Sequence, residues 1–296
     1  MSFRKERQLA LASTDHIGED MADLIDLYMK VLKRGIHGIC FSPYEEGQTP
    51  GDQLSEAQIR RRMEIIKPYT KSVRTFSCTE GNELIARIAK EYGLQTMVGA
   101  WLSSDHEKNQ IELDGLYKLA ADGIVDVAAV GNEVLYRKEL TEQQLLGYIN
   151  QAKSNISTAP VGYVDAYYEF VDHPAITEAC DVILANCYPF WEGCPIEYSL
   201  IYMKEMYHKA AWAGQGKRVI ITETGWPDQG TGIGGSIPSK RNAMSYFINA
   251  QNWSAEEEIE MYYFSSFDES WKVGSEGDVG AYWGIWDKNG MPKFDK

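Results

Sequence analysis

Val125-Asp126-Val127-Ala128-Ala129-Val130-Gly131-Asn132-Glu133 reads as a short strand, apolar on both faces, that stops abruptly on a glycine and two polar residues. A strand of that kind belongs to a parallel sheet covered by helices, where neither face meets water. The same grammar returns at Arg218-Val219-Ile220-Ile221-Thr222, which stops on Glu223-Thr224-Gly225-Trp226-Pro227. It returns again in MYYFSSF, which stops on Asp268-Glu269-Ser270-Trp271-Lys272. Working outward, strand-like runs fall at 38–42, 72–77, 95–101, 126–131, 161–164, 182–188, 218–222 and 260–267. Helical patterns at 55–66, 82–92, 113–121, 141–154, 199–213 and 238–251 separate them, with Ser55 as a cap for the first and Gly93 as the stop of the next. Eight strands alternating with helices predict an α/β fold, a single (β/α)8 TIM barrel. A doubly wound sheet would need a glycine-rich phosphate turn after its first strand, and Phe41-Ser42-Pro43-Tyr44 is not one. The apolar spacing in DMADLIDLYMKVLKRG makes residues 1–34 an N-terminal helical extension packed on the barrel, which itself takes up 35–296.

Composition narrows the function classes. Acidic residues number 43 against 29 basic, a net charge of −14. Such a field repels phosphate backbones, so nucleic acid is excluded as a partner and a neutral ligand is expected. No apolar stretch approaches the roughly 20 residues that span a bilayer, so no membrane insertion is expected. MSFRKERQLALASTDH carries no long apolar core and no small-residue cleavage signal, so no signal peptide is recognised and the compartment stays open. Five cysteines (Cys40, Cys78, Cys180, Cys187, Cys194) are an odd number without CxxC spacing and read as reduced structural thiols. A monomer is expected.

In a barrel, chemistry sits where the strands end. Glu133 and Glu223 terminate strands four and seven and would face each other across the barrel mouth. Retaining glycoside hydrolysis needs such a pair, about 5–5.5 Å apart, with one carboxyl as acid/base and one as nucleophile. Their different tasks demand different pKa values. Asn132 offers an amide to a sugar 2-hydroxyl.

The segments Val130-Gly131-Asn132-Glu133-Val134 and Ile221-Thr222-Glu223-Thr224-Gly225-Trp226-Pro227 resemble the two signatures of glycoside hydrolase family 17, the β-1,3-glucanases and related glucanosyltransferases. Phe41-Ser42-Pro43-Tyr44 with Gly47-Gln48-Thr49-Pro50, Val73-Arg74-Thr75-Phe76, Asn186-Cys187-Tyr188-Pro189-Phe190 and the run from Tyr263 through Lys272 are similar to strand ends of microbial members, in the expected order. The resemblance implies Glu133 as acid/base and Glu223 as nucleophile, acting on β-1,3-glucan with no cofactor and no metal. It also implies substrate contacts at Asn132, Tyr44, Arg74, Tyr188, Phe190, Trp226, Glu269 and Lys272, with Tyr188 able to donate to the nucleophile and Lys272 helping to keep it ionised. The reading is an endo-β-1,3-glucanase working by double displacement. Its rivals are a glucanosyltransferase, a catalytically silent glucan-binding barrel and a metal-dependent barrel enzyme.

Sugar C–H faces stack on aromatic rings, and Trp101, Trp191, Trp226 and Trp271 follow strands three, six, seven and eight. At least two of the four are expected to line the cleft. Tyr282, Trp283 and Trp286 are expected to close the barrel. Gly230-Thr231-Gly232-Ile233-Gly234-Gly235 does not sit between a strand and a helix, so it is read as part of the seventh loop rather than a nucleotide turn. Asp105, His106 and Glu107 are read as a polar loop, and Asp114, Asp122 and Asp126 as solvated charges.

Overall fold

The computed structural model describes residues 19–274 and 276–294. Residues 1–18, the first part of the N-terminal extension, lie outside the described residues. Eight parallel strands close on themselves in sequence order: β1 (Gly38–Cys40), β2 (Ser72–Arg74), β3 (Gln95–Ala100), β4 (Val127–Asn132), β5 (Val161–Ala166), β6 (Val182–Asn186), β7 (Arg218–Thr224) and β8 (Met261–Tyr263). Closure comes from β1 against β8, with Gly38 opposite Tyr262 and Ile39 opposite Tyr263. The fold is thus the (β/α)8 barrel expected. No helix among the described residues is long and apolar enough to cross a membrane.

Helices α2 (Glu56–Ile66), α3 (Glu83–Glu91), α4 (His106–Ala121), α5 (Glu142–Asn155), α6 (Glu169–Asp172), α7 (Pro174–Ala179), α8 (Ser199–Gly214) and α9 (Lys240–Glu256) fill the crossovers. Between β5 and β6 the crossover is the pair of short helices α6 and α7. Only 3₁₀ turns follow β8 among the described residues. The wall beside α9 is filled from the other end of the chain by α1 (Met21–Lys33), whose buried Tyr28 meets Phe247 at 4.7 Å between ring centres and Phe294 at 5.1 Å.

Two departures from the sequence reading have identifiable causes. Asp105, His106 and Glu107 are not a loop but the cap and first turn of α4, with the Asp105 side chain accepting from the Lys108 N–H. Periodicity missed that turn because α4 buries polar groups: Asn109 exchanges hydrogen bonds with the Ser103 backbone, and Glu112 accepts from the Cys78 and Trp101 N–H groups. Buried polar groups persist when paired in this way. Strand eight is three residues rather than eight, because beyond Phe264 the backbone pairs with the C-terminal segment, as in Ser265 N to Trp283 O at 3.0 Å and Ile285 N to Ser265 O at 3.0 Å. That segment is also pinned by Lys293, whose ammonium lies 2.6 Å from Asp228 and 2.8 Å from Asp268. Asp122 and Asp126 pair with Arg87 and Lys90 at the surface. The five cysteines are free thiols, four of them buried.

Candidate active site

The ladder is irregular where the two glutamates emerge. Register shifts fall between Ala129 and Asn132 against β5, between Ala185 and Asn186 against β7, and between Ile221 and Thr224 against β8. Bulges of this kind turn a strand end and re-aim its side chains. Gly131 takes a φ of +81°, open to glycine at no steric cost, and Glu133 takes +53°, where a side chain is uncommon. Both carboxyls line one cavity of about 410 Å³ at the C-terminal end of the barrel, shared with Tyr136, Tyr168, Asn186, Tyr188, Trp191 and Phe264.

Each glutamate has its own set of donors. Glu223 is held on both oxygens: the Arg74 guanidinium donates to Oε1 at 2.5 Å and the Tyr188 hydroxyl donates to Oε2 at 2.8 Å. Arg74 is itself enclosed and also donates to Asn132 Oδ1 at 2.7 Å. Burial alone would lower the Arg74 pKa, but the Glu223 charge and hydrogen bond, together with Cys40, more than reverse this, so the guanidinium stays charged. Burial, reinforced by the Glu223 charge, keeps the Tyr188 hydroxyl protonated. Glu133 accepts from Asn186 Nδ2 at 2.9 Å, and Asn186 Oδ1 accepts from Thr222 at 2.7 Å. Its carboxyl is pushed up to about 7 by burial and then by the Glu223 charge, with the Asn186 bond opposing. One carboxylate is therefore tied to a fixed cation and a phenol, while its neighbour retains a proton near neutrality, the split that acid–nucleophile pairs require.

The remaining expected contacts divide. Tyr188 reaches the cavity. Arg74 is 1% exposed and lies beneath Glu223, so it holds the carboxylate and cannot touch a ligand, a correction to its expected role. Phe190 and Trp226 are also corrected. They are enclosed and packed on each other at 5.2 Å, and the Trp226 indole donates to Ile237 O at 3.0 Å. The cation on Glu223 is Arg74, whereas Lys272 pairs with Glu269 Oε2 at 2.7 Å. Glu269 Oε1 accepts from Ser42 and from the Trp271 indole, so both of its oxygens are occupied. Tyr44 lies edge-on to Trp271 and accepts from Asn82. Exposed Trp101 lies outside this cavity, under the Arg137 guanidinium at 4.7 Å. Of the four tryptophans, Trp191 lines the cavity. Trp283 backs it, touching Tyr188, Phe190 and Trp191 at 5.4 to 5.5 Å between ring centres.

Sequence reasoning missed Tyr136, Tyr167, Tyr168, Glu192 and Glu276, and gave Asn186 no role. Asn186 ends strand six as Asn132 ends strand four, a signal that was available. Glu276 sits in an irregular turn with no periodicity to mark it. Its carboxyl is raised to about 7 by burial, with Lys272 opposing.

Substituting Arg74 with Met leaves the Glu223 carboxylate buried without its cation. Removing one partner of a buried pair is strongly destabilising, so denaturant unfolding is expected to lose about 3 kcal/mol. A loss within 0.5 kcal/mol, the range roughly typical of surface changes, would remove Arg74 from this role.

Comparisons with known proteins cover most of the chain. The family model described as the BtgE/BtgC glycoside hydrolase domain matches residues 38–284. The "Glucan 1,3-beta-glucosidase" of Arthroderma benhamiae is 29% identical over 83% of this chain and 86% of its own. The protein of the same name in Saccharomyces cerevisiae is 26% identical over 82% and 86%. Among solved structures, an active-site mutant of the Rhizomucor miehei β-1,3-glucanosyltransferase in complex with laminaritriose superposes with a TM-score of 0.79 and 27% identity, covering 88% of this chain and 96% of that one.

Proposed function

This chain belongs to the BtgE/BtgC glycoside hydrolase domain family, of the glycoside hydrolase family 17 type, and from that membership we propose that it is a retaining endo-β-1,3-glucanase with Glu223 as nucleophile and Glu133 as acid/base. That it is a glycosidase follows from the family; the linkage, the mode and the roles are the proposal. The observation that carries it is the contrast between the two carboxyls. Glu223 is held on both oxygens by Arg74 and Tyr188, and Glu133 is raised to about 7 in the same cavity.

Glu223 attacks the anomeric carbon while Glu133 gives its proton to the departing sugar oxygen. Glu133 then takes a proton from water, which opens the glycosyl-enzyme and restores both groups. The names of the relatives support a β-1,3-linked glucan as substrate. Tyr136, Tyr167 and Tyr168 line the same cavity as the acid, aromatic residues of the kind sugar rings pack on, which supports binding of more than one sugar and cleavage within a chain. Transfer of the glycosyl group to a second glucan is the alternative. It is favoured by the likeness to the glucanosyltransferase structure, and it differs only in which hydroxyl Glu133 deprotonates.

A product profile on linear β-1,3-glucan, with mixed-linkage and β-1,4-glucans as controls, separates these readings. Short oligosaccharides of retained configuration are expected. Products longer than the substrate would make transfer the main reaction, and an untouched β-1,3-glucan would end the proposal.

The raised acid also sets the alkaline side of the pH profile. Glu133 must carry its proton in the free enzyme, so kcat/KM is expected to fall above about pH 7, approaching tenfold per unit. A pH series on a soluble β-1,3-glucan checks this, and a flat profile to pH 9 would contradict it.

A further inference from the structure

Asp165 lies in β5, wholly enclosed at 0% exposure, so it cannot meet a ligand. Its Oδ1 accepts from the Ala166 N–H at 2.7 Å. Its Oδ2 accepts from the Tyr163 hydroxyl, and from the Tyr136 N–H at a long 3.4 Å. The Tyr163 oxygen in turn accepts from the Leu135 N–H at 3.0 Å. One rung away, the Glu133 N–H donates to Val164 O at 2.8 Å. Three N–H groups of the turn 133–136 therefore end on β5, two of them on this carboxylate–phenol pair.

The turn needs such holding. A non-glycine residue at φ +53° costs on the order of 1 kcal/mol and persists when its surroundings over-determine it. Nothing in the turn's own sequence, Glu133-Val134-Leu135-Tyr136, favours that conformation. The same two bonds also place Tyr136, whose ring lines the cavity next to the acid.

We propose that the buried Asp165–Tyr163 pair is the positioning device for Glu133, fixing the turn that presents the acid and setting a negative charge behind it. The inference rests on Glu133 being the acid/base of the proposed reaction. Charged groups facing Glu133 are Glu223 from β7, Asp165 from β5 and Arg137 from its own turn, with neutral Asn186 from β6. Asp165 is pushed up to about 6 by burial, with the Tyr163 bond opposing, so it is ionised at pH 7. Its charge then works with that of Glu223 to keep the proton on Glu133, and Arg137 works against it.

The test compares two substrates. A linear β-1,3-glucan needs acid help to expel a sugar alkoxide, whereas a dinitrophenyl β-1,3-linked disaccharide expels a stable phenolate without it. Asp165→Asn is nearly isosteric and removes the charge. Its kcat/KM on the glucan, which reports the step that expels the leaving group, is expected to fall about tenfold at pH 7, with less than a threefold loss in kcat/KM on the dinitrophenyl substrate. The alkaline limb is expected to move down by about half a pH unit. Tyr163→Phe, which keeps the ring and loses the oxygen, is expected to show the same substrate split, and it carries the test if Asp165→Asn does not fold. Equal losses on both substrates with an unmoved limb, or no loss on either, would overturn the proposal. Glu133→Gln is the reference: if it lacks the split, the assignment of the acid is what fails; if it shows the split and the β5 variants do not, only the positioning role fails.

Discussion

Glu223→Gln is expected to cut turnover on β-1,3-glucan by on the order of 10⁴-fold or more, because an amide cannot form the glycosyl-enzyme. The loss belongs to kcat, since the covalent bond is made only as the anomeric carbon is attacked. The same change removes a negative charge from a buried guanidinium that lies 2.5 Å from Oε1. Some destabilisation is therefore expected beside the kinetic loss, and oligosaccharide binding has to confirm that the variant is folded. Chemistry gives a sharper check through Glu223→Gly with added azide. An external anion entering the vacated space attacks from the nucleophile's side and gives a glycosyl azide of inverted configuration. A product of retained configuration, or wild-type turnover in Glu223→Gln, would assign the nucleophile elsewhere.

Glu133→Gln is expected to lose about 10³-fold on the glucan, within the span usual for a general acid. The loss should shrink steeply with the leaving group's own acidity. The alkaline limb near pH 7 should vanish with it, because the group that titrates there is gone. Stability moves in the opposite sense from Glu223→Gln. A carboxyl raised above its unfolded value holds its proton more tightly when folded, so its contribution to stability is full below the unfolded pKa and is lost as pH rises through about 7. Replacing Glu133 with a neutral amide removes that loss, so the variant is expected to melt no lower than wild type at pH 8. An unchanged limb would mean that another group is the acid, and a lower melting temperature at pH 8 would mean that the Glu133 carboxyl is not raised by its burial. Glu276, also raised to about 7 in the same cavity, is the group to test next.

Much of the architecture was legible because it is written locally. Strand four shows its double-sided apolar run and its abrupt polar stop in nine residues, and the barrel follows from repeating that pattern. The errors occurred where burial and contact had to be inferred from order along the chain. Arg74, Phe190 and Trp226 stand at strand ends on the active face, as a substrate-binding residue would, yet all three are enclosed. A strand end has two sides, and the register shifts at Ala129/Asn132, Ala185/Asn186 and Ile221/Thr224 choose between them. Nothing in RVIITETGWP or NCYPF announces a bulge. The first turn of α4 was hidden for a related reason: Asn109 and Glu112 look solvated until their backbone partners from other loops are in place.

Read alone, the chain specifies eight strands with helical patterns between most of them and a carboxyl at the ends of the fourth and seventh strands, since periodicity and strand termination are short-range properties. It does not specify how those carboxyls differ. That difference comes from Arg74, 149 positions from Glu223, and from Asn186, 53 positions from Glu133. Proton affinity is set by charges, donors and lost water within a few ångströms through space, and barrel closure brings them there.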